Sequence, residues 1–130
     1  MTAYLLDTRV LLAFLAGKTD FSADLHTILN DRDVKVLASA ASIFEVAVKK
    51  AMKRIKIPEH FPDAVLASGF EILPINADHA WKTLRLPFHH PDPFDRLLIT
   101  QAREESLTII TTNPIFQSYD VPVLMVETPA

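Results

Sequence analysis

With 130 residues, 49% of them hydrophobic and 22% charged, the chain has the make-up of a globular domain with a real core, not of a disordered segment. It has no cysteine, which excludes a disulfide framework and any cysteine-based zinc site. Its formal net charge of -3 argues against loose electrostatic binding to nucleic acid, so a phosphate contact must be local or helped by a bound cation. The opening residues lack the basic and long apolar regions of a secretory leader, and no apolar run approaches the roughly 18 residues of a membrane span. A single domain over residues 1–130, soluble and cytoplasmic, is the expectation.

Tyr4-Leu5-Leu6 is a short apolar strand ending on Asp7-Thr8. A continuous apolar run of this kind suits a strand buried on both faces, as in a parallel sheet. Arg9 to Leu15 reads as a helix stopped by Gly17. Ser22 or Asp24 caps a second helix through Leu25, Ile28 and Leu29, and Asp31-Arg32-Asp33 is a turn before a second strand, Val34 to Ala38. The strongest helical periodicity runs from Ala41 to about Ile55. Glu45 interrupts its apolar face near the start, and Lys49, Lys50, Lys53, Arg54 and Lys56 crowd its far half.

Pro58 and Pro62 bracket a loop, and Ala64 to Ala67 makes a short helix ended by Gly69. Phe70 to Ile75 is a third strand, and Asn76 or Asp78 caps a helix through Trp81 and Leu84. A loop from Pro87 to Pro93, carrying His89 and His90, leads into a helix over Pro93–Glu105 with Asp92 as its cap, Pro93 at its first position and Asp95 on its first turn. Thr108 to Thr111 and Val123 to Val126 are the last two strands. Strands alternating with helices point to an α/β, doubly wound domain with a mostly parallel five-stranded sheet.

Ligands of such sheets bind at the carboxyl ends of the strands. Asp7 follows the first strand, Glu45 lies in the helix after the second, Asp92 and Asp95 open the helix before the fourth, and Thr111, Thr112 and Asn113 end the fourth. Carboxylates from separate segments thus have the chance to meet at one sheet edge. Hard oxygen ligands in that arrangement suit Mg²⁺ or Mn²⁺, and the matching chemistry is metal-assisted attack of water on a phosphodiester.

Each residue also has a plain structural reading. Asp7, Asp92 and Asn113 sit where helix caps belong. Glu45 follows Ser42 at capping-box spacing, a reading that fails if the helix begins at Ser39. Asp95 fits the helix dipole. His89 and His90 are loop histidines, and Trp81 and Phe88 read as core or as a subunit interface. The lysine cluster either guides a phosphate backbone or is a solvated helix end.

Tyr4-Leu5-Leu6-Asp7-Thr8, Ala38 to Lys49 around Glu45, Asp92-Pro93-Phe94-Asp95-Arg96-Leu97-Leu98-Ile99 and Leu107 to Phe116 around Asn113 occur in an order that resembles the PIN-domain ribonucleases, in particular the VapC-like toxins of toxin–antitoxin systems. The resemblance runs from about Tyr4 to Val126. It implies a Mg²⁺-dependent endoribonuclease that cuts RNA, forms a homodimer or a toxin–antitoxin hetero-oligomer, and is restrained by a cognate antitoxin laid over the acidic groove. Asp7, Glu45 and Asp95 are then the metal ligands, Asp92 and Asn113 further members of the catalytic set, and Thr8 and Thr111 hydroxyls that support the ligands. Many members carry aspartate where this chain has Asn113, which favours one metal over two. It also keeps open a PIN-like module that binds RNA or protein without cutting. A receiver domain or a haloacid-dehalogenase-type phosphatase fits worse: the second acid each would need near Asp7 is missing, and Arg9 stands where the phosphatase would have it.

Overall fold

The computed structural model describes residues 2–17 and 23–127. In chain order the elements are β1 (Ala3–Leu6), α1 (Thr8–Leu15), α2 (Ala23–Asn30), β2 (Lys35–Ser39), α3 (Ala40–Ala51), α4 (Phe61–Ala67), β3 (Glu71–Leu73), α5 (Ala77–Lys82), α6 (Pro93–Glu105), β4 (Thr108–Thr111) and β5 (Val123–Met125). Single 3₁₀ turns occupy Thr83–Arg85 and Pro114–Ser118. The strands form one sheet in the order β3-β2-β1-β4-β5, and all four pairings are parallel.

The period of two along each strand builds two cores. Leu5 lies opposite Leu37 and Ile109, and these three face a cluster with Leu98, Ile99 and Ala102 of α6. Leu6 lies opposite Ala38 and Ile110, and these face the other cluster, with Val10 and Leu11 of α1, Val46 of α3, and Phe61 and Val65 of α4. Leu5, Leu6, Ile109 and Ile110 are fully buried. Helices cover both faces, which is why these strands read as unbroken apolar runs.

Several boundaries differ from the sequence expectation. Ser22 and the side chain of Asp24 lie outside the described residues. Helix α3 stops at Ala51, not near Ile55, because Lys53 adopts a left-handed conformation (φ 58°) and turns the chain. Ile55 and Ile57 still pack against the second core, from the loop, so the apolar rhythm outlasts the helix. Helix α4 begins at Phe61 with Pro62 in its first turn, earlier than Ala64. Strand β3 is cut to three residues ahead of Pro74. Asn76, not Asp78, caps α5: its Oδ1 accepts from the His79 N–H at 2.8 Å, and its own N–H donates to His79 Nδ1. Trp81 and Phe88 are not core residues, being 70% and 76% exposed. Among the described residues no helix is long and apolar enough to cross a membrane.

Candidate active site

Strand β1 is the middle strand of the sheet, so Asp7 emerges at the centre of its carboxyl edge. The Asp7 N–H donates to Ile110 O at 3.0 Å, carrying the β1–β4 pairing one residue further. As N-cap of α1, Asp7 accepts the Val10 N–H on Oδ1 at 2.8 Å, and Thr111 Oγ1 donates to Oδ2 at 2.5 Å. The residue is 4% exposed. Burial pushes its carboxyl up to about 6; the Thr111 and Val10 hydrogen bonds oppose the rise and the charge of Asp95 adds to it.

Helix α3 starts one residue after Ser39, whose Oγ accepts from the Ala41 N–H at 2.9 Å. Glu45 therefore lies inside the helix, and no Ser42–Glu45 capping box forms. Ser42 Oγ instead accepts from Thr8 Oγ1 at 2.9 Å, which ties α1 to α3. Glu45 Oε2 accepts from Lys49 Nζ at 2.7 Å, whereas its Oε1 is buried with no hydrogen-bond partner among the described residues.

Asp92 is the N-cap of α6: its Oδ1 accepts from the Phe94 and Asp95 N–H groups at 2.8 and 3.0 Å. Asp95 sits one turn in, with Oδ2 paired at 2.8 Å to His90 Nε2. Burial raises its carboxyl above the ordinary range, the His90 hydrogen bond lowers it, and the charges of Asp92 and Glu45 raise it further. Asp95 is thus the member that feels both neighbouring acids. Asn113 caps the turn Pro114–Ser118 through Oδ1, which accepts the Ile115 N–H at 3.1 Å.

These side chains share one groove of about 230 Å³, lined by Asp7, Thr8, Arg9, Leu12, Glu45, Lys49, Asp92, Asp95 and Asn113. All five expected site residues are brought together, with Thr8 beside them and Thr111 behind Asp7. Arg9 and Lys49 complete the lining. In the sequence Arg9 reads as the start of a helix, at a position where a phosphatase would carry an acid, and Lys49 as one of a charged run that either guides a phosphate backbone or is a solvated helix end; neither was expected in the lining.

A second feature was invisible in the local sequence. Arg96 is 8% exposed and has no carboxylate partner among the described residues. Its Nη1 donates to Pro87 O and His90 O, its Nη2 to Thr83 O and Leu86 O, and the guanidinium lies 4.5 Å from the Phe88 ring centre. Tyr119 OH accepts the N–H groups of His89 and His90 at 3.1 and 2.9 Å. Together Arg96 and Tyr119 shape the loop that delivers His90 to Asp95. No local pattern signals this, since the partners are up to 30 residues apart.

The PIN domain family profile matches residues 4–122. The chain belongs to the PIN domain family. Among solved structures, this PIN domain is similar to a chain of VapBC2 from Rickettsia felis bound to a promoter DNA fragment, with 17% identity, a TM-score of 0.73, and coverage of 97% of this chain and 100% of that one. A toxin–antitoxin complex from Klebsiella pneumoniae gives 22% identity and a TM-score of 0.64, with 98% of each chain covered. VapBC-5 from Mycobacterium tuberculosis gives 19% and 0.60, over 98% and 100%. At these identities the likeness speaks for the fold. No curated protein matches the chain.

The donor set of the PIN groove is all hard oxygen, and Glu45 Oε1 is a buried acceptor waiting for a donor or a cation, so the residues suit a divalent ion. They are not drawn together as a finished ligand shell: among the described residues no three acidic or imidazole groups are gathered closely enough to hold an ion. Each carboxylate is instead turned toward a protein donor, Asp7 to Thr111, Glu45 to Lys49 and Asp95 to His90.

Proposed function

We propose that this PIN domain is the toxin of a toxin–antitoxin pair, a Mg²⁺-dependent endoribonuclease that hydrolyses RNA phosphodiester bonds. The observation that carries the reading is the meeting of Asp7, Glu45 and Asp95 in one groove, with Glu45 Oε1 buried and unpaired. Asp7 and Asp95 would hold Mg²⁺, with Mn²⁺ as a substitute, and Glu45 would complete the set or orient the attacking water. When bound, the ion supplies an acidified water and neutralises charge on the phosphate. Glu45 Oε1, buried and without a hydrogen-bond partner among the described residues, would be the acceptor for a proton of that water. Thr111 and the Val10 N–H hold Asp7, and His90 holds Asp95. Thr8, bonded to Ser42, keeps the Asp7 and Glu45 helices in register. Asn113 offers an amide without charge, which favours one ion over two.

A cognate antitoxin is supported by the neighbours, whose names describe toxin–antitoxin complexes. Its natural seat is over the acidic groove, in a hetero-oligomer built on toxin homodimers. The alternative is a PIN domain that binds RNA or protein without cutting. The Asn113 amide and the neutralisation of Glu45 by Lys49 favour that reading.

The test is purified protein, freed of antitoxin, incubated with cellular RNA in Mg²⁺, in Mn²⁺ and in chelator, beside an Asp7→Asn variant. Discrete fragments that need the ion and vanish in the variant are expected. A folded wild type that cuts nothing with either ion sinks the nuclease reading in favour of the binding module.

A further inference from the structure

Glu45 and Lys49 are four apart on α3 and so share one helix face. An ordinary pair of this kind lies in solvent on both sides. Here the Glu45 side chain is only 8% exposed and that of Lys49 is 40% exposed. The carboxylate is built into the groove wall, and the ammonium reaches it from the rim. The groove lining holds four carboxylates, Asp7, Glu45, Asp92 and Asp95, against two cations, Arg9 and Lys49. Lys49 Nζ reaches Glu45 Oε2 at 2.7 Å, while Oε1 of the same carboxylate stays buried and unpaired. A buried acceptor without a donor is costly, and the Glu45 carboxylate is satisfied at Oε2 but not at Oε1.

We propose that Lys49 is the groove's resident counter-cation: it holds Glu45 until a divalent ion displaces it, and the displaced ammonium then takes a phosphate of the RNA substrate. The inference rests on the metal-dependent reading above. An ammonium on Glu45 and a divalent ion among Asp7, Glu45 and Asp95 repel each other at close range, so both cannot bind Glu45 at full strength. The lysine stem is long and flexible, so the freed ammonium stays at the rim. In a chain of net charge -3, a cation released there only after metal entry sets an order: ion first, RNA second.

The signature is a split in sign. The apparent affinity for an ion is reduced by the fraction of molecules in which Lys49 holds Glu45. Removing the ammonium with Lys49→Met should therefore tighten Mn²⁺ binding, by about tenfold if Lys49 holds Glu45 nine-tenths of the time. The same variant should bind RNA more weakly. The measurements are calorimetric Mn²⁺ titration of the full chain and fluorescence anisotropy of a labelled oligouridine in saturating Ca²⁺. Lys49→Gln serves as a second variant, and a Glu45→Gln background, in which Lys49→Met should no longer change Mn²⁺ affinity, isolates the pair. Equal or weaker Mn²⁺ binding by both Lys49 variants, with Mn²⁺ still taken up by the wild type, overturns this inference alone. Tighter Mn²⁺ with unchanged RNA binding overturns its second half. No Mn²⁺ uptake by any form overturns both the inference and the metal site beneath it.

Discussion

Asp7 and Asp95 both titrate above the ordinary carboxylate range, and burial is the leading cause for each. For Asp7, at about 6 against 3.8 for an ordinary aspartate, the consequence for stability has a definite sign. The folded chain keeps a proton that the unfolded chain releases between about pH 4 and pH 6. Stability from this group is complete below about pH 4 and is lost as pH rises through about 6, by on the order of 3 kcal/mol at the upper limit. Asp7→Asn removes the penalty while keeping an N-cap acceptor for Val10. In chelator at pH 7.5 the variant should therefore unfold at higher denaturant than wild type, and the gap should close toward pH 4. A less stable variant at pH 7.5 would show that the ionised carboxylate is well compensated. Asp92 bears on the site differently. It caps α6, yet its charge also acts on Asp95. Asparagine caps as well as aspartate, so Asp92→Asn should change urea stability by only a few tenths of a kcal/mol. Its RNA cleavage should nonetheless fall, and normal cleavage would reduce Asp92 to a cap. The cap roles of Asp7, Asp92 and Asn113 were legible from residue type and position. Their convergence on one sheet edge was expected from the strand ends and from the family resemblance, and the groove brings all three together; the partners that hold the carboxylates, Lys49 for Glu45 and His90 for Asp95, were not legible.

At the level of elements, the site depends on how α3 and α6 are braced. Ser39 Oγ, at the head of α3, donates to Gln101 Oε1 on α6 at 2.5 Å, and Gln101 Nε2 donates to Pro74 O beyond β3. Gln101 is fully buried, as is Ser39. This strut sets the spacing of the helices that carry Glu45 and Asp95. The loop before α6 hangs on Tyr119 and Arg96. Tyr119→Phe leaves the His89 and His90 N–H groups without their acceptor. It should cost about 1–3 kcal/mol in urea unfolding, with faster amide exchange confined to that loop. Loss of less than a few tenths of a kcal/mol would mean that water replaces the hydroxyl. Sequence periodicity located α6 and β4 to the residue because their ends carry strong chemistry, Asp-Pro at one and Thr-Asn-Pro at the other. It overran α3 because Ile55 continues the apolar rhythm from a loop. A left-handed lysine such as Lys53 has no signature in residue type.

For the whole molecule, the parallel architecture was readable from apolar runs at Leu5-Leu6 and Ile109-Ile110, which suit a sheet covered on both faces, together with the alternation of strands and helices. Strand order was not, since nothing in the chain states that β1 lies between β2 and β4. That order concentrates like charge at one edge. A divalent ion that binds only the folded groove must stabilise the fold by mass action, by about 2.7 kcal/mol at a hundredfold excess over its dissociation constant. Mg²⁺ should raise the melting temperature at pH 7.5, chelator should reverse the gain, and Asp95→Asn should abolish it. A melting curve indifferent to Mg²⁺ in wild type would count against an ion at this edge.

The strand order has another consequence. A cut in the loop between α3 and α4 would leave Asp7 and Glu45 on one piece and Asp95 and Asn113 on the other. The first piece owns the adjacent strands β1 and β2; the second owns β3, β4 and β5, of which β3 must sit outside β2 and β4 outside β1. The two pieces interleave like the fingers of clasped hands, and neither can finish the sheet alone. Return of the groove after mixing the halves would be a switch-like readout of their proximity, which makes this fold a natural candidate for a split reporter.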